Sequence, residues 1–201
     1  MQKIQNKCAP ARAFLLCRGL FLTVLTVLAA CEPAPDPDSI AAVAPKEEPV
    51  LLCGNEGSLS TELYGAVAVR VDWNKNDLEC AGMPRPEGRG ARLRFAGKTA
   101  EGDLQLAIII AVPDLERDAP HGEFSANVTL IEEGNGRFFS TPDLNNCLTE
   151  ITSMTRLDDS ADRYLIKGEL YCVTPLPEIN GDSSVSIPKM LFSGLLDWGA
   201  S

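Results

Sequence analysis

The 201-residue chain has one histidine, His121, and contains no C-x-x-C, no H-E-x-x-H, no G-x-S-x-G and no Walker loop. Each missing pattern removes a chemistry: paired-thiolate zinc sites, zinc hydrolysis, serine-elbow hydrolysis and phosphate cradling by a glycine loop. His121 stands in Asp118-Ala119-Pro120-His121-Gly122, among turn formers, and reads as an exposed loop residue. Two partial matches do not change this. Ser186-Ile187-Pro188-Lys189 has the S-x-x-K spacing and Lys98-Thr99 begins a K-T-G, but that chemistry needs the serine at a helix start and the K-T-G later in the chain than the serine. Carboxylate pairs such as Glu132-Glu133 and Asp158-Asp159 read as solvated strand ends. No catalytic residue is assigned, and the chain is expected not to be an enzyme. It also lacks a long apolar run. The longest, about a dozen residues from Gly19 to Ala30, falls short of the roughly 20 that a bilayer core demands.

That short run has its own meaning. Upstream of it Lys3, Lys7, Arg12 and Arg18 give a positive segment without acid, and Ala29-Ala30 supply the small residues of a processing site, so residues 1–30 read as a secretory signal outside the fold. The run stops at Cys31, and Glu32-Pro33-Ala34-Pro35-Asp36-Pro37-Asp38 follows at once. Leu28-Ala29-Ala30-Cys31 resembles the lipobox of bacterial lipoproteins, and the acidic proline-rich stretch behind it is similar to the tethers such proteins carry. The resemblance covers only this export segment. It implies that Cys31 becomes the first residue of the mature protein and takes a diacylglyceryl thioether and an amide-linked acyl chain, and several chains anchor where one binds marginally. It further implies a place in the bacterial cell envelope. Glu32, where an Asp would retain such a protein in the inner membrane, points to the periplasmic side of the outer membrane.

Positive charge is scarce after Cys31. All four basic residues of the signal are lost with it, leaving 14 Lys and Arg against 28 Asp and Glu, a formal −14. Nucleic acid and anionic lipid surfaces both attract basic patches, so neither is an expected partner. Residues 31–49 are Pro, Ala, Asp and Glu with little else, a composition unable to bury enough apolar surface to offset its chain entropy. They read as the lipidated cysteine and a disordered tether. Residues 50–201 have the length of one domain with one core.

Four cysteines remain in that domain: Cys53, Cys80, Cys147 and Cys172. An even count in an exported chain argues disulfides over zinc, with three pairings open. The sequence from Cys147 to Arg156, the turn formers Leu157 to Asp162, and Arg163 to Cys172 read as a β-hairpin. If Arg156 faces Arg163, then Cys147 faces Cys172, and Cys53 is left for Cys80. That register also sets Glu150 opposite Glu169, so a shift of two residues stays open.

Elsewhere the period is two. Leu63, Gly65, Val67, Val69, Val71 and Trp73 alternate with polar residues, as do Leu93 and Phe95, and Phe124, Ala126, Val128 and Leu130. Leu104 to Val112 is nearly continuous apolar residue, as suits a strand covered on both faces. Gly134-Asn135-Gly136 turns the chain into Arg137-Phe138-Phe139, and a last run ends in Phe192, Gly194, Leu196 and Trp198. The expected fold is all-β, an antiparallel β-sandwich of about eight strands with two disulfides; an up-and-down barrel is the alternative.

One loop carries candidate ligands. Asp72-Trp73-Asn74-Lys75-Asn76-Asp77 places side-chain oxygens at alternate positions, so Asp72, Asn74, Asn76 and Asp77 form a candidate Ca²⁺ set. It resembles the start of an EF-hand or dockerin loop, but Asp77 stands where the turn glycine belongs and Met83 where the twelfth-position Glu belongs. Leu148, Met154, Leu165 and Tyr171 fall on one face of the cysteine hairpin and form a candidate contact patch. Two functions follow as expectations. One is a membrane-anchored, structural or protein-binding module of the envelope with no cofactor. The other is a glycan- or Ca²⁺-binding module built on the Asp72 loop and on Trp73, Tyr64 and Trp198.

Overall fold

The computed structural model describes Cys53 and residues 56–86, 89–100, 104–118, 121–157 and 161–200. The chain divides into two compact units, Met1–Pro45 and Lys46–Ser201, and every described residue lies in the second. The signal, Cys31 and the tether fall outside the described residues.

Among the described residues of the second unit are twelve antiparallel strands, against the eight expected: β1 Ser58–Gly65, β2 Val69–Asn74, β3 Glu79–Pro84, β4 Ala91–Lys98, β5 Gln105–Val112, β6 Gly122–Glu132, β7 Arg137–Ser140, β8 Cys147–Arg156, β9 Arg163–Cys172, β10 Leu176–Pro177, β11 Ser184–Ser186 and β12 Met190–Asp197. Four strands are extra, and not all of them are short. β10 and β11 have 2 and 3 residues, too few for an alternation to register; β11 divides the last run from β12, the run from Leu63 to Trp73 divides into β1 and β2, and β3 was not expected. Among the described residues the only helical element is a 3-10 turn, Lys75–Asp77.

Strand β6 joins two layers. Its first half, Gly122 to Ala126, pairs with β8, and its second half pairs with β5, with β7 on the opposite edge. One layer runs β3-β4-β5-β6-β7, the other β2-β1-β12-β9-β8-β6, with β10 and β11 beside the far end of β1. The architecture is a sandwich. A closed barrel would need β2 bonded to β3, and among the described strands β2 pairs only with β1 and β3 only with β4.

The core lies between the layers, where the inward residues of the alternating strands meet. Phe95 of β4 meets Phe192 of β12 with ring centroids 5.8 Å apart, tilted by 54°. Two glycines make room. A Cβ on Gly194 would stand 2.8 Å from the Phe95 ring, and one on Gly168 of β9 would stand 2.7 Å from the Phe192 ring. β5 buries Leu106, Ile108, Ile110 and Val112 completely on its inward face, whereas on its other face Gln105, Ile109 and Ala111 are half-buried. The alternation from Leu63 to Trp73 breaks at Gly65, whose φ of 98° starts the turn into β2.

Both disulfides form as expected, Cys147–Cys172 and Cys53–Cys80, with Cα atoms 4.0 and 5.3 Å apart. The expected register holds at the cysteine end, where Cys147 faces Cys172 and Glu150 faces Glu169. It fails at the turn end. A bulge between Ile151 and Ser153 shifts the pairing by one, so that Arg156 faces Tyr164 and not Arg163. The two arginines are thereby no longer opposed, and the sheet gains local bend at the bulge. The shift also changes a face: Met154 now faces Ile166 and packs against the core.

Candidate functional site

The candidate Ca²⁺ ligands sit at the end of β2. Its alternation turns Val69, Val71 and Trp73 inward and Arg70, Asp72 and Asn74 outward, and the 3-10 turn then carries Asn76 and Asp77. A cleft of about 650 Å³ opens here, between β2 on one side and the Gly97–Ala100 and Gln105 segments on the other. Asp72, Asn76 and Asp77 line it together with Glu79, while Asn74 does not. Among the described residues no three His, Cys, Asp or Glu side chains are grouped closely enough to hold a metal ion. Trp73 forms the inner wall and is 2% exposed; its indole N–H donates to the Lys98 carbonyl at 2.7 Å. The ring therefore lies against β4, and a sugar has no open face to stack on. Tyr64 lies at the opposite end of the β1–β2 hairpin, facing Ser186, and Trp198 lines a separate cleft with Arg117 and Leu115. The three aromatics do not share a site.

His121 is exposed, and its Nδ1 contacts the Thr152 carbonyl at the β8 bulge. Ser186 lies in β11, facing Tyr64. The hairpin patch is smaller than expected, since Met154 has turned inward. Leu148 and Tyr171 face each other half-buried, with the Tyr171 hydroxyl donating to Glu123 at 3.0 Å. That bond, with some burial, raises the Tyr171 pKa.

A second surface was not anticipated. The segment from Phe138 to Asn146 runs antiparallel to the segment from Val173 to Ile179, tied at one end by Ile179 N–H to the Phe138 carbonyl at 2.8 Å and at the other by Val173 N–H to the Asn146 carbonyl at 2.8 Å. Four large apolar side chains are exposed along it: Phe138 at 43%, Leu144 at 38%, Val173 at 65% and Ile179 at 54%. They are four of the six such side chains among the described residues, the others being Tyr64 and Leu191. The reason is local. In Phe138-Phe139 successive strand residues face opposite ways, so burying Phe139 completely turns Phe138 out. Val173-Thr174-Pro175-Leu176-Pro177 has too much proline for a regular strand, and only Leu176 reaches the core.

A charged clasp holds the strip in place. Arg137 bonds both Glu178 oxygens, at 2.9 and 3.3 Å, and also reaches Ser183 Oγ at 2.9 Å and Glu132 at 3.2 Å, with its guanidinium 5.0 Å above the Phe139 ring. Ser183 also donates to Glu178. Hydrogen bonds from Arg137 and then Ser183 lower the Glu178 pKa to about 2, from an ordinary 4.5. Because the folded-state value is the lower one, the clasp stabilises the fold above about pH 4.5 and loses that contribution as pH falls toward about 2. Wild type is therefore expected to melt higher than Glu178→Gln at neutral pH, with the gap closing steadily below about pH 4.5. A gap independent of pH would show that the pair contributes nothing through its charge.

Compared with protein-family models, curated proteins and solved structures, the chain matches none. The apolar strip and the β2 cleft are thus read from their own chemistry. The cleft is polar, with charges of both signs. The strip sets four exposed apolar side chains among neutral polar ones such as Asn145 and Thr174; Asp143 and Glu178 are its acids, it has no base, and Glu178 is already bound to Arg137. Exposed large apolar side chains held among polar groups are what protein partners cover.

Proposed function

We propose that the protein is a lipid-anchored module of the bacterial cell envelope that holds another envelope protein through the Phe138–Ile179 strip. The anchor is Cys31, behind the lipobox-like Leu28-Ala29-Ala30, and residues 32–49 are the leash that lets the domain reach its partner. The observation that carries the binding role is the strip itself, four exposed apolar side chains on two segments pinned by Arg137, Glu178 and the adjacent Cys147–Cys172 bridge. A pre-ordered apolar surface costs little side-chain entropy on binding, which favours recognition over non-specific sticking.

The test is photo-crosslinking in intact envelopes. A photoreactive residue in place of Ile179 in the full chain is expected to give one discrete adduct, while the same residue in place of Leu191, equally apolar but on the other layer, gives none. Equal or absent adducts at the two positions would remove the reading. A melting temperature raised by millimolar Ca²⁺, and no longer raised in Asp72→Ala with Asp77→Ala, would move the function to the β2 cleft, since a ligand that binds only the folded state must stabilise it.

A further inference from the structure

The free edges of this sandwich are not equally protected. β3 contains Pro84 and lies against β12, where a Cβ on Gly82 would stand 2.8 Å from Leu93 and 2.9 Å from the Leu196 backbone. β10 is 2 residues long and includes Pro177. β7 is capped by the Phe139–Glu178 bridge. Each has a device that discourages pairing with another chain. β2 has none. Its 6 residues, Val69-Arg70-Val71-Asp72-Trp73-Asn74, contain no proline or glycine, its register against β1 runs without a bulge, and no described strand bonds its second edge, which borders the open cleft.

The side chains on that edge are self-complementary. Arg70 and Asp72 both point outward, two residues apart, and neither has an ion partner among the described residues. Glu62 lies opposite Arg70 on β1 without an ion pair to it. We infer that β2 pairs antiparallel with β2 of a second copy of this chain, about a two-fold axis at Val71. In that register Arg70 faces the partner's Asp72 and Asp72 faces the partner's Arg70, so one symmetry operation makes two cross-strand ion pairs. Val69 faces the partner's Trp73, and the inward rows of the two sheets continue across the interface. A register shifted by one residue would turn the outward row of one copy against the inward row of the other, and a shift by two would lose both ion pairs. A six-residue edge is a small interface, so association is weak in free solution and is helped wherever both copies are confined to one surface.

Charge reversal tests the register. The full chain, purified in a non-ionic detergent, is examined by sedimentation equilibrium from about 1 µM to about 1 mM, the range of weak association. Wild type is expected to dimerise. Arg70→Asp and Asp72→Arg each create two like-charged pairs and weaken dimerisation about ten-fold or more. An equimolar mixture of those two variants restores it, and so does the double variant Arg70→Asp with Asp72→Arg. The double variant keeps the same acid opposite Glu62 as Arg70→Asp, so its recovery cannot come from relief within one copy. A wild type that stays monomeric throughout, single variants that dimerise like wild type, or a double variant as weak as the singles would each overturn the inference.

Discussion

Replacing Cys147 and Cys172 together with serine is expected to lower the stability of the domain by about 3 to 4 kcal/mol, the chain-entropy value for a loop of this length. The two residues are 25 apart in sequence and directly opposite in the β8–β9 ladder, with Cα atoms 4.0 Å apart. The bridge therefore constrains the unfolded chain while demanding no displacement of the folded one. Urea unfolding of the full chain reads the loss as a lower midpoint. A change in slope would place part of the effect in a more expanded unfolded state. The same variant loosens the strip, because Val173 and Asn146 are the next residues beyond the two cysteines and their hydrogen bond continues the ladder. The adduct at Ile179 should weaken in it. An unchanged midpoint would mean that the ladder alone holds the two strands in register.

Phe95→Ala has the second large effect, an expected loss of about 3 to 5 kcal/mol. Phe95 is fully buried where the two layers meet, and it fills space that Gly194 leaves open on β12 while its ring packs on Phe192. The neighbouring backbone belongs to two hydrogen-bonded sheets and cannot collapse into the vacated volume, so a cavity term adds to the lost burial. Phe95→Leu should cost clearly less, because it keeps part of the volume. Equal losses for the two substitutions, measured by the same denaturant series, would show that ring stacking on Phe192 outweighs volume.

Long features of this fold were legible in the residues. The hairpin from Cys147 to Cys172 and both disulfides could be read because β-branched and aromatic flanks surround a polar turn, and opposed cysteines confirm a register. β5 could be read as a strand from its nearly continuous apolar run, although its outward Ile109 and Ala111 are only half-buried and not fully covered. The bulge at Thr152 could not, since nothing in Ile151-Thr152-Ser153 breaks the alternation; it removes an Arg156–Arg163 opposition that only tertiary pairing creates. β10 and β11 were too short for a period. The strip was missed for the same reason, although Phe138-Phe139 did contain its signal: two adjacent aromatics in one strand cannot both be buried in a two-layer fold unless a third layer covers one. At the Asp72 loop, residue spacing singled out four residues, of which Asp72, Asn76 and Asp77 share a cleft lining, but it could not show that Asn74 lies outside that lining.

Membrane attachment through Cys31 is the claim on which the envelope reading depends, and cell fractionation tests it most directly. Wild-type chain and Cys31→Ser are expressed side by side, and the membrane and soluble fractions are separated in high salt so that charge-mediated adherence does not count. The account predicts wild type in the membrane fraction and Cys31→Ser without the acyl-chain mass on its amino-terminal peptide and absent from the position wild type occupies. A wild-type chain recovered soluble, or a Cys31→Ser chain that carries the same lipid mass shift and distributes as wild type does, would contradict it.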